Sequence, residues 1–127
     1  MPGLKKTSTG SGNQEWMGSV HGLTEAQTGS LVKSAFDAQK YFPGGFIRSG
    51  TEVNAADLGN VKPWTGAAGE QLGYVVRDVT VEGDDTHIGG VGIMLHGLVR
   101  IEKLPIPHVE AADAKSVAAF VLQKEAR

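Results

Sequence analysis

The longest regular pattern of apolar residues lies between Leu72 and Val81, in the segment LGYVVRDVTV. Alternating side chains rich in β-branched residues are typical of a β-strand. A second apolar run, VGIMLHGLVRI, extends from Val91 to Ile101 after the polar, turn-forming segment EGDDTHIGG. We predict that the two runs pair as an antiparallel hairpin, and that Gly97 introduces a bulge or a bend into the second strand.

Shorter strands are predicted on the N-terminal side of this hairpin. In YFPGGFIRSGTEV, a strand at Phe46–Ile47 follows a Pro-Gly-Gly breaker, and SGT has the composition of a tight turn before the next strand. A further strand is expected at Val61–Trp64, where Pro63 restricts it to a sheet edge because proline has no backbone N–H. Val76 and Ile93, each inside a run of β-forming residues, are predicted core residues.

The C-terminal segment HVEAADAKSVAAFVLQKEAR permits two interpretations. Acidic residues come early and basic residues late, which is the order that a helix dipole favours, so a short helix is expected to begin near Glu110. The part VAAFVL then either continues that helix, with Val117, Phe120 and Val121 at helical spacing, or forms a closing strand. Periodicity does not decide between the two over so short a segment.

The N-terminal stretch follows neither pattern. Residues 1–13 are rich in glycine, serine and threonine with almost no large apolar side chains, so they are not expected to fold alone. Over 14–38, large apolar residues are scattered among glycines without a period of 2 or 3.6, which favours an extended arm. Thr24 and Gln27 have the spacing of a capping box, but Gly29 follows before a helical face develops, so a helix is the less favoured alternative.

We therefore divide the chain into a flexible N-terminal arm, 1–40, and a β-rich domain, 41–127. Scattered apolar side chains fold poorly alone, but they suit an arm that lies along another protein and adds a strand to an exposed sheet edge. The alternative is an ordinary flexible terminus with a few residues packed on the domain. The candidate binding residues of the arm are Trp16, Val20, Leu23, Leu31, Val32 and Phe36.

Length and composition narrow the class of protein. The 127 residues suit one domain, and the 18 glycines favour short strands and tight turns. With 12 basic and 14 acidic residues the net charge is −2, so no basic field is available to hold nucleic acid or an anionic membrane. The absence of cysteine excludes disulfides, a thiolate nucleophile and cysteine-ligated metal. Because neither a signal-type apolar run nor a membrane-length one is present, we expect a soluble protein.

No set of residues in the sequence forms a recognisable active site. Asp84 and Asp85 lie in a glycine-containing turn and lack the calcium-loop pattern, so a solvated turn is favoured over paired catalytic carboxylates. The run IGGVGIMLHG lacks the lysine of a phosphate-binding loop, and no GxSxG motif occurs. We assign no catalytic, metal or cofactor residues and predict a protein that is not an enzyme. The histidines match no local metal motif, and His96 is interpreted as a strand residue bonded to backbone or lying at a subunit contact: His21, His87, His96 and His108.

Four segments, in this order and spacing, resemble a known family: LVKSAF, YFPGGFIRSGTEV, GYVVRDVTV and GGVGIMLHGLVRIEKLP. They are similar to the head decoration, or cement, proteins of tailed bacteriophages of the phage lambda D type, especially forms from phages of actinobacteria. The resemblance extends from about Trp16 to at least Pro107. Its most specific parts are Phe42–Thr51 and His96–Pro105, whereas 1–13 and 123–127 match nothing in the family.

The resemblance implies a fold and a function. The fold is a small β-barrel or β-tulip-like domain with an extended N-terminal arm and one short helix near the C-terminus, followed by a last strand. The function is binding, as a homotrimer, to the major capsid protein on the outer surface of the mature head at three-fold and quasi-three-fold positions, where it stabilises the head against internal DNA pressure. The arm becomes ordered on the shell. The implied location is the virion, after synthesis in the bacterial host cytoplasm.

One alternative function remains open at this point. A small β-barrel that binds a carbohydrate or a peptide has the same length and composition. It differs from a cement protein in its expected mass, because a simple carbohydrate module is monomeric, and in its lack of affinity for phage capsids.

Overall fold

The centre of the fold is a five-stranded antiparallel sheet, seen in a computed structural model that describes residues 15–17, 26–81 and 86–123. The fold is mainly β, as predicted. Within the described ranges, no helix is long and apolar enough to cross a membrane. The strands are β1 (Gln27–Val32), β2 (Phe46–Ile47), β3 (Glu52–Asn54), β4 (Lys62–Pro63), β5 (Leu72–Val75), β6 (Val79–Thr80), β7 (His87–Met94), β8 (Gly97–Arg100) and β9 (Phe120–Gln123). The helical turns are 3-10 turns at Lys33–Ala35, Ile101–Lys103 and Ala114–Val117 and one α-helical turn, α1, at Ala38–Tyr41.

The strands of the large sheet follow the order β1-β7-β5-β3-β4. The predicted antiparallel pairing of the two apolar runs is confirmed, with Tyr74 opposite Met94 in β5 and β7. Just before β4, Val61 forms a parallel bridge with Leu31 of β1. There the Val32 N–H donates to the Val61 carbonyl at 2.9 Å. This bridge joins the two ends of the strand order, so the sheet closes into a small barrel.

Two apolar cores lie on the two faces of this sheet. Because neighbouring strand residues point to opposite faces, Val75 enters one core while Tyr74 and Val76 enter the other. Val76 and Ile93 are both buried, as predicted. The barrel interior is formed by Leu31, Phe36, Ile47, Val53, Ala55, Val61, Val75, Val91 and Ile93. The outer core is formed by Trp16, Trp64, Leu72, Tyr74, Val76, Met94, Val99 and Phe120.

A C-terminal layer covers the outer face of the barrel. The chain leaves β7 at Met94 and bends at Gly97, whose φ is 137°, into β8. Strand β8 pairs in parallel with β9, which places Phe120 opposite Gly97. The segment VAAFVL therefore ends in a closing strand. The expected helix is a 3-10 turn that begins only at Ala114, after Asp113 caps it by accepting from the Lys115 N–H at 3.0 Å.

The strand predicted from Leu72 to Val81 is interrupted, which corrects that expectation. Its first part is β5, and Val79–Thr80 forms β6, which pairs with β2 instead. The break coincides with two hydrogen bonds from Ser49, whose Oγ donates to the Val76 carbonyl at 2.6 Å and whose N–H donates to Asp78 Oδ1 at 2.8 Å. The first bond satisfies the Val76 carbonyl, a backbone group that a continuous strand would have paired in the sheet, and the second uses the side chain of Asp78.

The boundary predicted at residue 40 falls inside the folded domain. Strand β1 is an integral barrel strand that pairs with β7, and Leu31 lies in the barrel interior. The pairing register shifts between Gly29 and Leu31, which removes the regular alternation expected of a strand. Gly29 is itself a packed position, because a Cβ there would lie 3.1 Å from the Leu58 carbonyl oxygen. The other residues of the predicted arm, 1–14 and 18–25, lie outside the described ranges.

Candidate functional site

Trp16 fixes the N-terminal segment on the outer face of the domain. Its side chain is 1% exposed, and the ring stacks on Tyr74 with the centroids 5.2 Å apart. The Trp16 carbonyl accepts from the Arg100 N–H at 2.7 Å, and Met17 forms an antiparallel bridge with Val99. Residues 16–17 therefore add to the edge of β8, on the side opposite β9, and this segment is already docked on its own domain.

The turn between β2 and β3 receives the tryptophan. The Trp16 Nε1–H donates to Ser49 Oγ at 3.0 Å, and both groups are buried. Gly50 adopts a φ of 92°, a left-handed conformation that favours glycine. A Cβ at this position would lie 2.8 Å from the Trp16 ring and 3.0 Å from Pro105. The SGT turn was predicted, but its partner lies 33 positions away, a relationship that local pattern does not encode.

Four of the six predicted binding residues are described, and the structure does not bring these four together on one surface. Trp16, Leu31 and Phe36 are buried within the chain's own cores, which leaves no side-chain area for a partner. Val32 is half-buried in β1. Val20 and Leu23 lie outside the described residues, so their assignment remains a prediction. The partners of the buried arm residues were missed because the arm was treated as separate from the sheet to which β1 belongs.

A buried carboxylate network lies beside the Trp16 site. Glu52, in β3, is buried, and its Oε2 accepts from the Tyr74 hydroxyl at 2.7 Å. The same oxygen accepts from His108 Nδ1, while Oε1 accepts from the Val109 N–H at 3.1 Å. Burial raises the pKa of Tyr74 far above its ordinary value, and the Glu52 carboxylate adds to the rise, so Tyr74 stays a hydrogen-bond donor. Three donors compensate for removing the carboxylate from water.

The network holds the strap, which we define as residues 108–112, against the barrel. Trp64 Nε1–H donates to the Val109 carbonyl at 2.8 Å, and the Ala112 N–H donates to the Gly66 carbonyl at 2.7 Å. Gly66 has a φ of 84°, and a Cβ on it would lie 2.2 Å from the Glu110 carbonyl oxygen. These contacts hold the strap in a non-helical conformation, which explains why the helix predicted from Glu110 does not begin there.

The histidines and aspartates considered as possible site residues can be located in part. His87 contacts Asn60 Oδ1 through Nε2 at 3.0 Å, and His96 is half-buried between β7 and β8. His21 and the Asp84–Asp85 turn lie outside the described residues. In the part of the chain that the structure describes, no cluster of three or more histidine, aspartate or glutamate side chains is arranged to hold a metal ion.

A surface pocket of about 320 Å³ opens next to the Trp16 site. Three segments line it: the end of β2 with the following turn, the chain after β5, and the chain after β8. Phe46 is 38% exposed, and both Arg48 and Lys103 are exposed. We call this the cationic pocket, and its lining residues are Phe46, Arg48, Ser49, Asp78, Lys103 and Pro105.

Comparison with known proteins adds no relative. No family model matches the chain, and the searches of curated proteins and of solved structures find no match.

Proposed function

We propose that this protein is a capsid decoration (cement) protein. It binds the outer surface of the mature phage head at three-fold and quasi-three-fold positions and stabilises the head against internal DNA pressure. Its partners are the major capsid protein and two further copies of itself in a homotrimer, and its location is the virion. The proposal starts from the resemblance carried by the segments Phe42–Thr51 and His96–Pro105.

The observation that best supports the proposal is that these two segments meet in space around Trp16. Ser49 and Gly50, from the first segment, contact the indole. From the second segment, the Arg100 N–H donates to the Trp16 carbonyl, and Pro105 lies next to Gly50. Segments far apart in sequence that carry a family likeness are expected to form one structural or binding unit, and here they do so at the point where the N-terminal segment joins the domain.

The geometry of the polar groups favours binding over catalysis. Glu52 and His108 are a carboxylate and an imidazole in contact, which is an arrangement that acid–base catalysis uses. Here, however, both oxygens of Glu52 are occupied by donors from the domain and the strap, and Tyr74 is held as a donor to one of them. We therefore assign the network to structure, and we propose that the protein acts without a catalytic step.

The proposal is tested by co-sedimentation with expanded capsids and with unexpanded procapsids of the parent phage. Full-length protein is expected to pellet with expanded capsids at saturable stoichiometry and to stay in the supernatant with procapsids. Light scattering then measures the mass of protein released from the pelleted capsids, which is expected to be that of a trimer. Full-length protein that stays in the supernatant with expanded capsids would overturn the proposal and favour a carbohydrate- or peptide-binding module.

The arm is tested separately with two deletions that keep every described residue. Removal of residues 1–14 is expected to weaken binding to expanded capsids, because it shortens the segment ahead of Trp16 that remains a candidate for docking. Removal of residues 124–127 is the matched control and is expected to leave binding unchanged. Circular dichroism establishes that both proteins fold. Equal binding by both variants would exclude residues 1–14 from the capsid contact and would leave that contact to residues 15–123.

A further inference from the structure

We propose that the cationic pocket binds an acidic side chain, an aspartate or a glutamate, presented by the major capsid protein. This inference rests on the proposed capsid binding and names a contact for it. Its volume of about 320 Å³ lies at the low end of ligand sites, so it suits one side chain with its adjoining backbone rather than a large ligand.

The first argument is charge. Arg48 and Lys103 are exposed and line the same pocket, and neither forms an ion pair with another described residue. Asp78 is the acidic residue of the lining, and its Oδ1 already accepts from the Ser49 N–H at 2.8 Å. With two cations against one carboxylate, the lining carries an excess of one positive charge on a chain whose net charge is −2. A carboxylate placed between the two cations would form charge-assisted hydrogen bonds, for which the arginine fork is well shaped.

The second argument is the apolar part of the lining. Phe46 is one of the large hydrophobic side chains that the described surface leaves exposed, at 38%. Together with Pro105 it provides an apolar wall beside the two cations. The methylene groups of a glutamate or aspartate would lie against this wall while the carboxylate reaches Arg48 and Lys103, so the lining matches both halves of such a side chain.

The third argument is rigidity. Ser49, at the base of the pocket, is held by Trp16 Nε1, the Val76 carbonyl and Asp78. Pro105 and the Trp16 indole both pack close to Gly50, where a Cβ would lie 3.0 Å from Pro105 and 2.8 Å from the indole. Because this part of the lining is fixed before binding, only the exposed side chains of the pocket lose conformational entropy when a partner enters. The pocket therefore suits a specific contact next to the anchored N-terminal segment.

The test is co-sedimentation with expanded capsids using the double variant Arg48→Glu/Lys103→Glu. Affinity is expected to fall at least tenfold, because two attractive contacts become repulsive. The matched control is Lys62→Glu, an exposed charge reversal on β4 away from the pocket, which is expected to bind as wild type. The conservative double variant Arg48→Lys/Lys103→Arg is expected to retain most of the binding. Circular dichroism verifies folding of each variant.

Salt provides a second readout. Wild-type affinity for the capsid is expected to fall as NaCl is raised from about 50 to about 500 mM, because salt screens exposed charges. The residual affinity of the charge-reversed variant should change little over the same range. If the wild type binds capsids and the charge-reversed variant binds with the same affinity, this inference is overturned and the proposed function is left intact. Absence of wild-type binding would instead overturn the proposed function. A third outcome is that the charge reversal abolishes retention on heparin but leaves capsid binding unaffected. This result would assign the pocket to an anionic polysaccharide and would also overturn the inference.

Discussion

The barrel interior and the outer layer are held by different kinds of contact. Inside the barrel, mainly aliphatic side chains from neighbouring strands pack together. The outer layer has an apolar core of its own, but there side-chain hydrogen bonds also join residues distant in sequence, such as Trp16 with Ser49, Trp64 with Val109 and His108 with Glu52. Apolar packing is spread over many atoms, whereas each outer hydrogen bond holds one particular segment.

This difference teaches which parts of the molecule can open independently. Loss of packing inside the barrel affects β1, β3, β5 and β7 together, because their side chains share one core. Loss of one outer hydrogen bond weakens the attachment of the N-terminal segment or of the strap while the barrel stays closed. Segments held in this way open locally at a lower free energy than global unfolding. The comparison is sharpened by substitutions that act on one region at a time.

The largest effect is expected from Ile93→Ala. Ile93 is fully buried in the barrel interior, and removing its side chain leaves a cavity, which should lower the free energy of unfolding by about 2–5 kcal/mol. Chemical denaturation followed by circular dichroism measures the change. Val121→Ala is the control, since Val121 is 65% exposed on β9 and its truncation should change stability by less than about 0.5 kcal/mol. Equal losses in the two variants would contradict the assignment of Ile93 to the interior core.

A smaller loss is expected from Glu52→Gln. The amide keeps the shape of the side chain but replaces one acceptor oxygen with a donor, so Tyr74, His108 and the Val109 N–H cannot all be satisfied. The free energy of unfolding should fall by about 1–3 kcal/mol. Glu70→Gln is the matched control, because Glu70 makes its hydrogen bonds to Thr65 and Gly66 in a more accessible loop. Hydrogen exchange should show the Glu52 variant losing protection at Val109.

High pH should act on the same network through Tyr74. Its pKa is raised in the folded protein by burial and by Glu52, so the stability it contributes is complete below the unfolded pKa of about 10 and is lost as the pH rises above it. From this residue the free energy of unfolding should fall by about 1.4 kcal/mol per pH unit above 10. Of the two tyrosines in the chain, Tyr74 should ionise only as the protein unfolds. Absorbance at 295 nm measures this, and Tyr74→Phe should lack the extra pH dependence.

The contrast between the two regions also explains what the sequence allowed us to predict. The pairing of β5 with β7, the short strand β2 and the buried Val76 and Ile93 follow from local alternation and β-propensity. The terminal position of β4 follows from Pro63. These features depend on a few consecutive residues, so a one-dimensional pattern contains enough information to identify them.

The candidate site was predicted less well, because its contacts are not local. His108 and Glu52 are 56 positions apart, and Trp64 and Val109 are 45 positions apart. Neither pair has a spacing motif. The arm boundary was misplaced for a related reason, since a register shift and a packed glycine remove the alternation of β1. The one available signal was the pair of segments that carry the family resemblance, which share the Trp16 site.

The smallest effect, and the one that separates the outer contacts from one another, is expected from Trp16→Phe. Phenylalanine keeps a ring over Tyr74 but cannot donate to Ser49, so the N-terminal segment should be held less firmly by about 0.5–1.5 kcal/mol while the barrel remains intact. Amide exchange at Arg100, which donates to the Trp16 carbonyl, should accelerate by a few-fold to about tenfold. Trp64→Phe is the matched variant, since it removes the donor to Val109 and should accelerate exchange at Ala112 in the strap instead. Faster exchange at both amides in both variants would mean that the two segments open together, and the outer layer would then be one cooperative unit rather than two separately held segments.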